Sequence, residues 1–492
     1  MQHANRRNLY LITLCLSIAF IALGISSAWP TPVLNKFVNN ETKVEISKKE
    51  VAVMFSIYPV GFAAGSLATR FVADNLGRRA TILGSPIPIA IGSVIVVFGT
   101  VAWHLYVTAF MWQFGTGMIS TVIGYYLSEI AEKDIRGTLQ LITSFTFKFG
   151  TLLTMTIGPF LSYDTLNYIM VTLPVTFFVV CFWIPETPHF CLKTGNVEAA
   201  RKSLRKLRRY ENEADLEEEL QALKSDVKDD MSRSSTVKEL FLGVHYRRAI
   251  IIAAGLKVTQ IMTGGVLIRQ YLTWIMKETN IKMEMSTLLI IYGCVTFAVS
   301  MISSILVDRM GRRLLLIYSY IGTGLSLGVI AAYFFLQDVV NINPDTLTTF
   351  SIVPFIGILL STITSTLGYN SLIFIIPAEI FPLNVKAIAM TSLNIFGCVL
   401  AFISAHGYQF VKDNCGLTMI FSIFASVAIG GGVFSYYIVT ETKGKDLRDI
   451  QLELQGKYYN AVAVNDKEVI GGYKESDVEL KELKSEVKQE ST

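Results

Sequence analysis

Charge is what this sequence has least of. Only 17% of its 492 residues are Asp, Glu, Lys or Arg, against about 25% in soluble domains. Such a chain cannot cover itself with ionic groups, so most of its surface does not face water. Histidine is scarce too, with five in the whole chain. No metal-ligand spacing, phosphate loop or nucleophile–base pair can be read. An enzyme is therefore not expected, and no cofactor is called for. The six cysteines mostly fall in apolar stretches, which excludes a disulfide framework. The net charge of +4 is small and spread over loops, so nucleic acid is not an expected partner. Aspartate and glutamate are missing from the depths of every apolar stretch.

What is present is hydrophobic length. Apolar residues make up 52% of the chain, and the mean hydropathy is +0.47. Runs of about 20 apolar residues are long enough to cross a bilayer as helices. About twelve such runs can be marked. They begin near Asn8, Val51, Ala80, Leu105, Thr138, Asn167, Ala249, Ser286, Leu314, Thr349, Ala387 and Leu417. None alternates with a period of two, which argues against a β-barrel. The first run is too long for a cleavable signal, and no small-residue cleavage pattern follows it.

Arginines that flank these spans fall on one side: Arg6 and Arg7, Arg78 and Arg79, Arg136, Arg312 and Arg313. The positive-inside rule then puts both termini in the cytosol. The sequon Asn40-Glu41-Thr42 falls in the opposite loop between spans 1 and 2 and is a glycosylation candidate.

The chain repeats itself. "DNLGRR" follows span 2, and "DRMGRR" follows span 8. "SEIAEKDIRG" follows span 4, and "AEIFPLNVKA" follows span 10. "PETP" follows span 6, and "TETKG" follows span 12. Three signatures in the same order in both halves imply two six-helix bundles related by an axis along the membrane normal. The expected organisation is an N-terminal cytosolic segment (1–7), a first bundle (8–185), a cytosolic linker with amphipathic helices (186–248), a second bundle (249–440) and a mostly disordered tail (441–492).

The repeated charges suggest a switch. Asp74, Arg78, Arg79, Glu129, Arg136 and Glu186 in the first half correspond to Asp308, Arg312, Arg313, Glu379, Lys386 and Glu441 in the second, which adds Arg309 opposite Asn75. A ring of Glu129, Arg136, Arg78, Arg312 and Glu379 is expected to form when the cytosolic side closes and to part when it opens.

Together "GSLATRFVADNLGRR", "YLSEIAEKDIRG", "PETPHF", "VDRMGRR", "PAEIFPLNVKA" and "TETKG" resemble the signatures of the sugar-porter family of the major facilitator superfamily. The stretch "SSAWPTPVLNKF" is similar to the insect facilitated trehalose transporters. The resemblance covers roughly residues 8 to 450. It implies alternating access, facilitated transport of a sugar such as trehalose or a hexose, and a plasma-membrane location. This sequence departs from the family at Asn75, Lys386, Ala387 and Thr440, where Arg, Arg, Gly and Pro are usual.

The resemblance also implies a cavity lined by amides and a tryptophan. Neutral amides suit hydroxyl-rich ligands because they both donate and accept. Counting from the nearest motifs, Gln260 is kept. Ser144, Ile261, Val266 and Thr296 stand at amide positions, and Thr263 stands for a serine. Phe374 takes the tryptophan position, and Gly397-Cys398 replaces Asn-Trp. Asn394, Gln140, Thr143, Tyr271 and Asn370 lie nearby in sequence and could compensate.

Lys148 is the single charge in "GTLQLITSFTFKFGTLLTMTIGPFLSY". It lies one helical turn beyond Ser144, on the same face. A lysine facing lipid at that depth costs at least about 2.5–3.5 kcal/mol, so an aqueous cavity is the expected surrounding. Arg269 is a second candidate that could instead reach the outer interface. Gly264-Gly265 is expected to weaken span 7 as a gate. Without a deep carboxylate, uniport or anion-linked exchange is favoured over proton symport. Three functions remain open: sugar transport, transport of a small anion drawn by Lys148 and Arg269, and a non-transporting sensor. The expected partners are a small-molecule solute and the bilayer, and the sequence is silent on oligomeric state.

Overall fold

A computed structural model describes residues 7–131, 135–208, 213–232, 240–241, 246–279, 281–340, 349–381, 383–443, 445, 450 and 454. The described residues are helical wherever they are regular. The tail beyond 454, expected to be disordered, lies outside them.

Ten helical stretches are long and apolar enough to cross a membrane. The last, Ile388–Tyr437, is broken at Gly416, whose φ of 74° is reached readily only by glycine. The 29-residue helix Ala102–Ile130 adds a further leg. The two sides of Gly416 in Ile388–Tyr437 are spans 11 and 12, so twelve helical legs can be numbered among the described residues.

In the first half, span 1 is Arg7–Ala28, continued by Pro30–Val38. Span 2 is Lys48–Leu76, opened by a reciprocal cap between Ser47 and Glu50. Span 3 runs through Arg78–Gly84 and Pro86–Phe98, span 4 is Ala102–Ile130, span 5 Arg136–Ile157 and span 6 Tyr163–Cys181. The segment after span 6 forms helices Pro188–Lys193, Val197–Leu207 and Glu213–Ser232. These bury Cys191, Ala200, Leu204, Leu216 and Leu220 in a small core of their own.

The second half opens with span 7, which is three pieces: Arg247–Met262, Gly265–Gln270 and Leu272–Glu278. Gly264 is left-handed at φ 73°, and a Cβ there would sit 2.2 Å from the Phe424 ring. The expected weak point is thus an actual break, packed against span 12. Spans 8, 9 and 10 are Met285–Arg309, Arg312–Asp338 and Val353–Leu367 with Tyr369–Ile380.

The two halves are not joined equally at their two ends. At the end away from the arginine-rich loops, one apolar core takes in residues from both halves, from Trp29, Phe55 and Tyr163 to Tyr271, Leu289 and Phe421. Hydrogen bonds cross there as well. The Thr31 hydroxyl donates to the Arg269 carbonyl (3.2 Å), and Thr273 donates to the Thr31 carbonyl (2.9 Å). Lys277 donates to Asn39 (2.9 Å), and Phe55 meets Tyr271 edge-on at 5.0 Å. The buried tyrosine Tyr271 also stacks on Tyr408 at 4.3 Å. This end is shut. Asn40 is exposed on the loop beside it, at φ 55°.

Candidate functional site

The duplicated signatures fold into two nearly identical clusters. In the first, Arg78 donates to Glu129 at 2.9 Å and to the carbonyl of Ala73 at 3.0 Å. In the second, Arg312 donates to Glu379 at 3.3 Å and to the carbonyl of Val307 at 3.3 Å. Glu186 accepts from the backbone N–H groups of Arg78 and Arg79 at 3.0–3.1 Å. Glu441 does the same for Arg312 and Arg313 at 2.8 and 3.1 Å. Each of these carboxylates therefore sits at the amino end of a helix, where the free N–H groups and the dipole favour negative charge. The approach needs glycine: a Cβ on Gly77 would lie 2.4 Å from Glu186, and one on Gly311 2.7 Å from Glu441.

The outer arginines are placed alike. Arg79 donates to the Phe182 carbonyl and lies over its ring, and Arg313 does the same at Tyr436. Asp74 takes Arg78 (3.4 Å) and Lys193 (3.0 Å), while the Arg309 carbonyl takes Lys443 (2.6 Å). Lys386 lies within electrostatic reach of Glu379; burial pushes its ammonium below the ordinary lysine value, and that carboxylate opposes the shift. The side chains of Arg136 and Asp308 lie outside the described residues. Of the five expected ring members, the four whose side chains are described fall in two clusters, with each Arg–Glu pair inside its own half. The Tyr125 hydroxyl bonds Thr391 across the halves at this end.

Sequence reading missed two members. Thr187 donates to Glu129 and Thr442 to Glu379, both at 2.5 Å. The signal was there: "PETP" and "TETK" share Glu-Thr.

Glu441 is a case where competing effects can be ranked. Burial alone raises its carboxyl pKa. The backbone N–H groups of Lys443, Arg312, Arg313 and Thr442 outweigh it and hold the group below the usual carboxylate range. A depressed folded pKa means the stabilisation is present at neutral pH and lost only as pH falls through that lowered value. The melting temperature of purified wild type should exceed that of Glu441→Gln by a constant margin near neutrality, and the margin should shrink in acid below the ordinary glutamate range. A margin that instead shrinks between pH 6 and 8 contradicts this assignment.

Between the halves, span 5 is oriented by its neighbours. Gly150 packs on the Ile21 carbonyl of span 1, while Phe149 and Met155 meet Phe297 and Gly293 of span 8. At 100° per residue, the face between these contacts carries Gln140, Ser144 and Lys148. It looks into the seam between the bundles. Ser144 and Gln140 are exposed there, and Lys148 is within electrostatic reach of Arg269 from the other half. The Arg269 Nη2 also reaches Ser27 Oγ of span 1 at 3.4 Å, while its Nε is buried without a hydrogen-bond partner.

The other expected site residues sort unevenly. Gln260 donates to Asn370 at 3.3 Å. Thr263 is buried and donates to the Thr259 and Gln260 carbonyls of its own helix. Beside them Tyr320 and Tyr369 stack at 4.4 Å, with Thr259 on the Tyr320 hydroxyl at 2.6 Å. Thr296 is buried and bonds its own helix at Tyr292, so it offers little to a solute. Phe374 is 53% exposed.

One cation was missed altogether. Lys257, in "AAGLKVTQ" of span 7, lies 5.3 Å from the Phe374 ring centroid. A Cβ on Gly397 would lie 2.3 Å from the Lys257 Cε. The site thus gains a lysine where the resemblance implies an asparagine.

Comparison with known proteins fits this geometry. Residues 6–454 match the family model "Sugar (and other) transporter". The chain is 26% identical over 445 residues to facilitated trehalose transporter Tret1 of Bombyx mori, covering 90% of this chain and 86% of that one. It is 28% identical to the Tret1-2 homolog of Drosophila simulans, covering 93% of each. It spans about half the length of other curated relatives, such as Tret1 of Drosophila willistoni, at 28% identity over 91% of this chain. In fold it is similar to the inward-open xylose transporter XylE from E. coli (TM-score 0.72, 17% identity, 90% of this chain and 99% of that one). A relationship across almost the whole length, on an all-helical architecture with duplicated signatures, places this chain in the sugar transporter family of the major facilitator superfamily, whose members are transporters and not enzymes.

Proposed function

We propose that this protein is an alternating-access carrier for a small polar solute, working by facilitated transport, with a sugar as the first substrate to test. The observation that carries the reading is the unequal closure of the two halves. One end is sealed by a shared apolar core and cross-half hydrogen bonds, while the arginine–carboxylate pairs at the other end stay within their own halves. Gln260, Asn370 and Phe374 supply a mixture of amide and aromatic surface that suits a hydroxyl-rich solute. The arginine-rich end is read as cytosolic, with both termini there, Asn40 glycosylated outside, and the plasma membrane as location.

The second reading, an anionic solute, is favoured by Lys148, Lys257 and Arg269. The experiment is uptake of labelled trehalose and glucose by cells that display the protein. Saturable uptake above mock-transfected cells is expected. Absence of saturable flux for any solute, with the protein at the surface, would turn the reading toward a sensor.

A further inference from the structure

Among the described residues, the middle of the seam between the halves carries positive charge with no carboxylate opposite it. Lys148 comes from the first half, and Lys257 and Arg269 from the second. The middles of the apolar runs contain no aspartate or glutamate. Among the described residues Lys148 has neither a carboxylate nor a hydrogen-bond partner. The buried Arg269 Nε has none either. Buried charges left unpaired are costly, and two like charges facing across a low-dielectric seam repel. A fold keeps such an arrangement when something else brings the opposite charge.

We propose that the solute of this carrier is a small hydroxylated carboxylate, an acid of the sugar type. Its carboxylate is clamped between Lys148 of one half and Arg269 of the other. The inference rests on the carrier reading above and narrows its substrate class. The hydroxyls are left to Gln260 and Asn370. Lys257 lies about 15 Å along span 7 from Arg247, by helical rise, between the arginine-rich end and Arg269. Bound anion turns cross-half repulsion into attraction, so the loaded carrier reorients readily. The empty carrier keeps two unneutralised charges in the seam and reorients slowly. Exchange, with solute on both sides, is therefore faster than one-way uptake.

The test uses the purified full chain in proteoliposomes, with labelled gluconate outside and either buffer or unlabelled gluconate inside. Trehalose and glucose are run alongside. Saturable gluconate uptake, accelerated by internal gluconate, is expected. Lys148→Gln and Arg269→Gln should each lower kcat/KM for gluconate about tenfold or more, the loss of one charged hydrogen-bond partner, and Lys148→Arg should restore most of it. Gluconate should raise the melting temperature of wild type and leave that of the double glutamine variant unchanged, which separates lost binding from lost folding. Uptake of trehalose or glucose without any of gluconate overturns the inference and leaves the carrier reading standing. Gluconate uptake that is unchanged in both glutamine variants overturns the clamp. No flux of any solute by intact, folded protein overturns both.

Discussion

Leucine at Gly150 should abolish the folded carrier, while alanine at Gly328 should leave it intact. Spans 1 and 5 cross backbone to backbone through a reciprocal pair of glycines. A Cβ at Gly150 would lie 2.2 Å from the Ile21 carbonyl oxygen, and one at Gly24 would lie 2.1 Å from that of Phe147. Small residues permit such close approach between helices in lipid, where dispersion contacts replace the hydrophobic drive. Neither neighbour is a flexible side chain that could move aside. A leucine must push the helices apart along the whole crossing, at about 3 kcal/mol or more. Gly328 has nothing within 4 Å of its added Cβ, and alanine is the better helix former. Monodispersity on size-exclusion chromatography and surface display would check this. Leucine at Gly150 with wild-type display would show that the spans do not meet so closely. The same crossing aims Lys148: with Gly150 and Thr151 turned onto span 1, position 148 is turned toward the seam.

Much of this architecture was legible before any coordinates. The starts of the apolar runs coincide with the helices, and Gly416 falls just before the last run begins. The duplicated charges were legible as equivalent positions because the same residues recur at the same loop positions. Their partners were not. A repeat says that Arg78 and Arg312 are equivalent, but not whether each pairs within its half or across. The four ring members whose side chains are described pair within their halves in this conformation, and only distance decides that.

Lys257 was hidden for a different reason. An average over about twenty residues absorbs a single lysine, and Lys148 drew attention only because it stood alone in its run. Position 397 was read as an amide lost. The structure shows it as space gained, since the missing side chain is what lets the Lys257 stem lie across span 11. An exchange between two distant positions leaves no trace in a reading that takes positions singly. Thr296 is another case that counting along the chain does not reach: its hydroxyl donates to the Tyr292 carbonyl of its own helix.

Removing Arg312 or Glu379 should cost transport far more than a surface charge would, and the pairing pattern says how the losses combine. Arg312 is mostly buried, with 14% of its side chain exposed. Glu379 also takes the Thr442 hydroxyl. Arg312→Gln leaves Glu379 half-buried with one partner fewer, a loss of about 1–3 kcal/mol, or about five- to 150-fold in the population of the locked half. The double variant Arg312→Gln/Glu379→Gln should lose less than the sum of the two, because the second change removes the group left stranded by the first. Arg78 and Glu129 should behave the same way, their partners being equivalent. The cross-half combination Arg78→Gln/Glu379→Gln is the informative one. In the conformation seen here the two residues belong to separate clusters, so their effects on the melting temperature should simply add. If the clusters join when the arginine-rich end closes, the same combination should be non-additive in turnover. Non-additive melting would mean that the clusters already communicate across the seam. Additive turnover would mean that they are independent anchors and that the latch lies elsewhere.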